Sequence, residues 1–441
     1  MEYLSSDKIG IIDFTTSEVS EEPLDEELVR ENIGGIGITT ILHEKYKEDD
    51  PVVLGTGLLT GTLVPGSALG VITARSPISG KVVHTPLTMY TGIELKYSGF
   101  DYLVIKGKAQ NPVYLWIHDG IADVEDAGEL WGKDTWTCTD QIRKLMGDDV
   151  IQVLGIGGAG EAGSELAQIT CNYWGSADRW GLGKIFGEKK LKLVAVRGMG
   201  LIEIAEPEEF VSQARSMIAE FRSAPFSGRQ GVGDLLAELG HEDFNSWMGP
   251  LVHRHKSCFN TPIPTNTFLF LDEEPQLMKE SEKDEPGVLV TDPLALLALK
   301  NLGLSAKDAG EALKACAKQG IDPYRVALLA QENGKTTLQD LLGFLPEMKA
   351  SPEVSYVQEI FSPWCPRRPL WGDFGIGSDE SEISQWWNRR QAVAYIFGIH
   401  PIFALMSPQL SEDKLLELAA LGTDIEFDSN TIDKIVGRLI D

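Results

Sequence analysis

Apolar residues in the first 200 positions fall in short runs punctuated by Gly, Pro and Asp. Ile9-Gly10-Ile11-Ile12-Asp13-Phe14, Pro51-Val52-Val53-Leu54, Gly70-Val71-Ile72-Thr73, Tyr102-Leu103-Val104-Ile105 and Pro112-Val113-Tyr114-Leu115-Trp116-Ile117 have the length and β-branched content of strands. Beyond residue 205 the period changes. Pro207-Glu208-Glu209 opens an amphipathic helix to about Phe221, with acid in its first turn. Asp292-Pro293 and Asp322-Pro323 each place an N-cap before a proline at the first helical position. Ser305-Ala306-Lys307-Asp308 and Thr337-Leu338-Gln339-Asp340 read as capping boxes with Asp in place of Glu. Residues 382–397, 411–422 and 428–439 complete the helical set. The charged stretch from Asp272 to Gly287 predicts an exposed loop. The expected fold class is therefore α+β. A β-rich domain spans 1–205, and an all-helical region spans 206–441, divided into two subdomains near 272–290.

At 441 residues, 43% hydrophobic and 24% charged, the chain has ample core for two or three domains. The formal net charge of −27 repels phosphate backbones and anionic lipid headgroups. Neither nucleic acid nor membrane is expected as a partner. No apolar run reaches about 18 residues, and the start, Met1 to Asp7, has neither a basic nor an apolar leader segment. The five cysteines are scattered, with no C-x-x-C pair. That pattern suits a reduced, cytoplasmic protein.

Several segments, in order, carry a resemblance. They are Leu59-Thr60-Gly61-Thr62, Ser76-Pro77-Ile78-Ser79-Gly80, Gly92-Ile93-Glu94-Leu95-Lys96-Tyr97-Ser98-Gly99-Phe100-Asp101, Leu130-Trp131-Gly132-Lys133, Gly157-Gly158-Ala159-Gly160-Glu161 and Arg179-Trp180-Gly181-Leu182-Gly183. Together they resemble the N-terminal domain of the aldehyde:ferredoxin oxidoreductases, tungstopterin enzymes that also carry a [4Fe–4S] cluster. The resemblance implies a β-rich base beneath two pterins, closed by helical domains. It implies an oxidoreductase acting on an aldehyde or oxo group, if the chain is active.

The departures from the family pattern are as specific as the matches. Cys258 opens a loop where the family has C-x-x-C-x-x-x-C, but Thr261 and Thr265 stand at the next two ligand places. A cubane cluster is held by Cys thiolates, so no [4Fe–4S] cluster is expected. Leu69 and Pro86 replace a family arginine and asparagine. The two pterin motifs survive as Lys300-Asn301-Leu302-Gly303-Leu304-Ser305 and Tyr395-Ile396-Phe397-Gly398-Ile399-His400, with Lys300 and Tyr395 at the Asp places and His400 at the fourth cluster cysteine. A retained tungstopterin or molybdopterin would be held by Ser176, Arg179, Gly181, Gly303, Leu304, Gly398 and Ile399, in a cleft between residues 1–200 and the helices near 300–305 and 395–400.

Other features compete with this picture. His253-x-His255-x-x-Cys258 has a spacing that could grip a transition metal, or it is a basic surface turn. Arg179 could meet a phosphate or pair with a carboxylate. Gly155-x-Gly157-x-x-Gly160 fits a dinucleotide fingerprint, a weak signal alone. Trp364, Trp371, Trp386 and Trp387 lie near Arg367, Arg368, Arg389 and Arg390, either as an interface or as core with the arginines outward. The leading expectation is a non-catalytic or repurposed subunit with a weakened cofactor site. It would act as a homo-oligomer or in complex with an intact homologue or redox protein. The alternatives are an active oxidoreductase that binds a W- or Mo-pterin without its own cluster, and a protein that binds a metal or small ligand in the old cleft.

Overall fold

The structure is a computed structural model that describes residues 1–176, 178–271, 287–350, 359–362, 364–428 and 430–440. Two six-stranded sheets build the first 200 residues. One runs in the spatial order Glu18–Glu22, Ile9–Asp13, Tyr102–Lys106, Val52–Thr56, Gly70–Arg75, Val82–Leu87. The other runs Trp174–Gly175, Thr170–Cys171, Gln152–Gly155, Leu191–Arg197, Val113–His118, Ile121–Asp126. Each sheet is mixed. Ile9–Asp13 lies parallel to Tyr102–Lys106, and Leu191–Arg197 lies parallel to Val113–His118.

The period-2 alternation of strand side chains sorts these residues into layers. Leu103 and Ile105 face inward with Ile12, Leu54 and Ile72, against Leu115, Ile117 and Val194 of the second sheet. Tyr102 and Val104 face the opposite way and join the larger core shared with the helices. Leu193 and Ala195 turn to the far side of the second sheet, where Ile142 of the helix Thr135–Met146 covers them. Burying each such aliphatic side chain is worth roughly 1.5–3 kcal/mol.

The expected caps form. Asp292 accepts from Ala295 N–H, Asp322 from Tyr324 N–H, Ser305 from Asp308 N–H and Thr337 from Asp340 N–H. The region after 205 is helix-dominated but not all helical. Val252–Lys256, Asn266–Phe270 and Gly287–Val290 form an antiparallel three-stranded sheet. Of the expected loop, 272–286 lies outside the described residues, and Gly287 begins the third strand. Among the described residues no helix is long and apolar enough to cross a membrane.

Candidate functional site

The residues that resemblance assigned to a cofactor fall into two seams between the β-rich half and the helices. The first is built on charge. Arg179 is completely buried. Its Nη2 donates to both carboxylate oxygens of Asp292, at 2.9 and 2.7 Å, and its Nη1 donates to Asp322 at 2.9 Å. Arg325 Nε donates to the other Asp322 oxygen at 2.8 Å, and the Arg179 guanidinium lies over the Tyr324 ring. Asp292 and Asp322 are themselves the N-caps of the helices Pro293–Asn301 and Pro323–Glu332. The segment that presents Arg179 is fixed by Asp178, whose carboxylate accepts from Trp180 and Leu182 N–H. Burial pushes the Asp178 carboxyl up to about 6, and it raises Asp292 against the pull of Arg179. Of the two readings of Arg179, carboxylate pairing is the one found. Nearby, the Ser176 hydroxyl donates to the Ile169 carbonyl. Gly181 takes a positive φ where the helix Leu182–Glu188 begins.

The second seam is built on backbone. Leu58 and Leu59 N–H donate to the carbonyls of Ile396 and Phe397. Leu69 N–H donates to Gly398, and His400 N–H to Gly66. A Cβ on Gly57 would land on the Gly398 backbone nitrogen. Gly398 has φ +87 as the C-cap of the helix Glu380–Phe397, a conformation natural to glycine. Ile399 and Tyr395 are buried, and Tyr395 packs on Phe361 with ring centroids 5.3 Å apart. Phe361 in turn reaches the sheet edge, where His84 N–H donates to the Ile360 carbonyl. Pro86 is paired in strand with Val71.

The expected cleft at 395–400 is therefore filled by protein. Nor is it completed from the other side. Gly303 sits on the surface, Leu304 belongs to the core, and Lys300 pairs with Asp243 over the rings of Phe244 and Trp247. Tyr395 Oη and Trp364 Nε1 are buried facing one another, and Gln391 Nε2 is buried without a hydrogen-bond partner among the described residues. Gln391 Oε1 accepts from the Cys365 thiol. Such groups are ordinarily satisfied by ordered water.

The Trp and Arg cluster is structural, and one arginine points inward. Arg390 is buried and donates to the carbonyls of Ala404, Ser407 and Leu410. Arg389 binds Glu412 and Asp433. Trp387 Nε1 donates to Pro366 O.

The metal grouping expected at His253, His255 and Cys258 does not form. His253 stacks on Phe270, His255 Nδ1 meets Thr267 Oγ1 at 3.1 Å, and Cys258 turns into the core. Strand alternation would put His253 and His255 on one face, but a bulge between Val252 and Arg254 parts them, and Cys258 lies beyond the end of the strand. Among the described residues no three His, Cys, Asp or Glu side chains converge on a metal position. Cys258 Sγ accepts from Met89 N–H at 3.4 Å and lies 3.7 Å from Met89 Sδ. Burial pushes its thiol up to about 11, so it is not a ready thiolate. Thr261 and Thr265 are buried beside it.

Sequence reasoning missed a concavity of about 880 Å³. Its floor holds Met89, Cys171, Tyr173 and Trp174, one wall is the helix end carrying Arg143 and Lys144, and the helical half contributes Thr291. Its pieces come from segments far apart in sequence, so no local motif announces it.

Residues 9–198 match the family model described as aldehyde ferredoxin oxidoreductase, N-terminal domain. A tungsten-containing aldehyde ferredoxin oxidoreductase from Pyrococcus abyssi is 33% identical over 229 residues, which are 50% of this chain and 38% of that relative. The aliphatic sulfonate oxidoreductase, WOR-like subunit, from Pyrococcus furiosus is 29% identical over 264 residues, 54% of this chain and 42% of its own length. The chain thus aligns with less than half the length of these relatives. In three dimensions it is similar to the active-site complex BamBC of benzoyl coenzyme A reductase in complex with 1,5-dienoyl-CoA. The TM-score is 0.77 at 17% identity, over 100% of this chain and 88% of that one, a likeness of fold. Order of motifs, paired mixed sheets and family match agree that residues 9–198 form a domain similar to the N-terminal domain of the aldehyde ferredoxin oxidoreductases.

Proposed function

We propose that this chain is a non-catalytic or repurposed subunit of aldehyde ferredoxin oxidoreductase type, without a [4Fe–4S] cluster or bis-pterin site, working in complex with an intact homologue or a redox protein. The observation that carries the reading is the seam at residues 57–69 and 396–400. There the second pterin motif is spent on backbone contact with the β-rich half. The Arg179 clip supports it, because a guanidinium held by two carboxylates has little left for a phosphate. The subunit part of the reading is supported by a relative named as a subunit and by a structural neighbour that is part of a complex.

The test is anoxic purification from the native host, followed by metal and pterin analysis and native mass measurement. A second polypeptide is expected to co-purify, and once it has been separated this chain is expected to hold tungsten, molybdenum and iron below a tenth of an equivalent. Stoichiometric tungsten with pterin would make the chain an oxidoreductase of aldehyde or oxo groups and overturn the proposal.

A further inference from the structure

The 880 Å³ concavity lies in the size range of small-molecule sites, roughly 300–1,000 Å³. It adjoins the charged seam, since Gly175 and Thr291 precede Ser176 and Asp292, and its floor residue Met89 touches Cys258. Its floor is aromatic and soft. Tyr173 and Trp174 meet Trp136 edge to face, and Met89 and Cys171 complete the surface. Burial pushes the Cys171 thiol up to about 12, so it faces the pocket uncharged. Apolar residues ring the mouth: Tyr90 is 44% and Val150 50% exposed.

The charges on the wall are unevenly committed. Glu94 receives the Arg197 guanidinium at 3.2 Å and Gly198 N–H at 2.6 Å. Asp140 accepts the Tyr173 hydroxyl at 2.9 Å. Arg143 donates Nε to the Ile151 carbonyl and Nη1 to the Tyr173 hydroxyl, both neutral acceptors. These bonds fix its guanidinium, whose charge, after the Arg197 hydrogen bond, also helps hold the Asp148 carboxyl down. Among the described residues neither Arg143 nor Lys144 makes a salt bridge within 4 Å. Asp149 stands exposed at the rim. In a chain of net charge −27, two such cations beside an aromatic floor are a specific feature.

We infer that this pocket binds a planar aromatic monocarboxylate. The ring would lie against Trp174, Tyr173 and Met89, and the carboxylate would face Arg143 and Lys144. A guanidinium or ammonium donating to a carboxylate gives the stronger, charge-assisted kind of hydrogen bond.

The experiment uses the full chain and 1-naphthoate as probe, read by calorimetry and by tryptophan emission. The uncharged 1-naphthamide and the cationic 1-naphthylmethylammonium are matched controls. Saturable naphthoate binding is expected, at least about tenfold tighter than naphthamide, since a charge-assisted bond is worth that much or more. Lys144→Glu, on the surface, should weaken naphthoate about tenfold and leave naphthamide unchanged. Arg143→Gln should weaken it further, with circular dichroism and melting confirming the fold. Equal binding of naphthoate and naphthamide, preference for the ammonium, no saturation by about 10 mM, or an unaltered Lys144→Glu variant would each overturn the inference. Metal and pterin content does not bear on this result, so it stands or falls apart from the subunit reading.

Discussion

The two seams joining the β-rich half to the helices solve one problem with opposite chemistry. At 57–69 and 396–400, backbone meets backbone and side chains are absent where contact is closest. At Arg179, Asp292 and Asp322, the join is a buried ion cluster that caps two helices at once. A backbone seam is fixed by shape and tolerates no added atom. A charged seam tolerates changes of shape but not loss of one partner. In both, residues that could have faced a cofactor face protein.

The steric seam should break hardest. Gly57→Ala puts a methyl into the Gly398 backbone, which cannot move without unseating the helix Glu380–Phe397. A loss of more than about 4 kcal/mol is expected, visible in urea unfolding or as absence of soluble protein. Wild-type stability in that variant would mean the two segments part easily. Next, Arg179→Met strands the buried Asp292 and leaves Asp322 with Arg325 alone, at a cost of about 3–5 kcal/mol. Adding Asp292→Asn and Asp322→Asn should recover much of it. If the triple variant is no more stable than the single one, the cost comes from packing and not charge.

Acid separates the seams by sign. His84 and His400 sit at the backbone seam, and burial pushes them down from the ordinary 6.5 to about 3 and about 4. Their contribution is present above pH 6.5 and is lost as pH falls toward those values, at about 1.4 kcal/mol per unit for each histidine. Asp178, raised to about 6 beside the charged seam, acts oppositely. Its contribution is complete below the ordinary 3.8 and is lost as pH rises through about 6. Urea midpoints between pH 7 and 4.5 should fall in the wild type and flatten in a His84→Gln, His400→Asn variant, whose Asn still offers Phe403 N–H an acceptor. An unchanged slope would place the acid sensitivity elsewhere. The smallest effect is expected for Lys300→Asp. It restores the family residue at a surface position and should cost about 1 kcal/mol or less in melting experiments.

Much of this was legible in the chain. The strands at 9–13, 52–56, 70–75, 102–106 and 113–118 announce themselves by short apolar, β-branched runs between Gly, Pro and Asp, and four helix starts by their caps. The three-stranded sheet was hidden because its first strand is His253-Arg254-His255, a polar edge without apolar alternation, although Asn266-Thr267-Phe268-Leu269-Phe270 carries a strand signature. The partners of Arg179 lie more than a hundred residues away. The repeated Asp-Pro cap was their available signal, since two helix N-termini with anionic caps call for one cation. The resemblance places Gly398 at a cofactor turn, and the backbone contact it makes with Gly57 and Leu69 has no local signal, since a glycine at close quarters looks the same against backbone as against a ligand.

The double cap on Arg179 also bears on how the chain can be cut. Composition suggests a boundary near 205, yet a fragment starting there would carry Asp292 and Asp322 without the Arg179 guanidinium that joins them. It would also expose the faces of Leu296, Leu313 and Val326, which share a single core with Ile9, Val53 and Val104. The helical half cut at 205 is therefore expected to be less stable than in the whole chain. Its helices are finished only when the β-rich half, synthesised first, supplies the charge that closes them. Truncations for expression should keep residue 179 with whatever follows it.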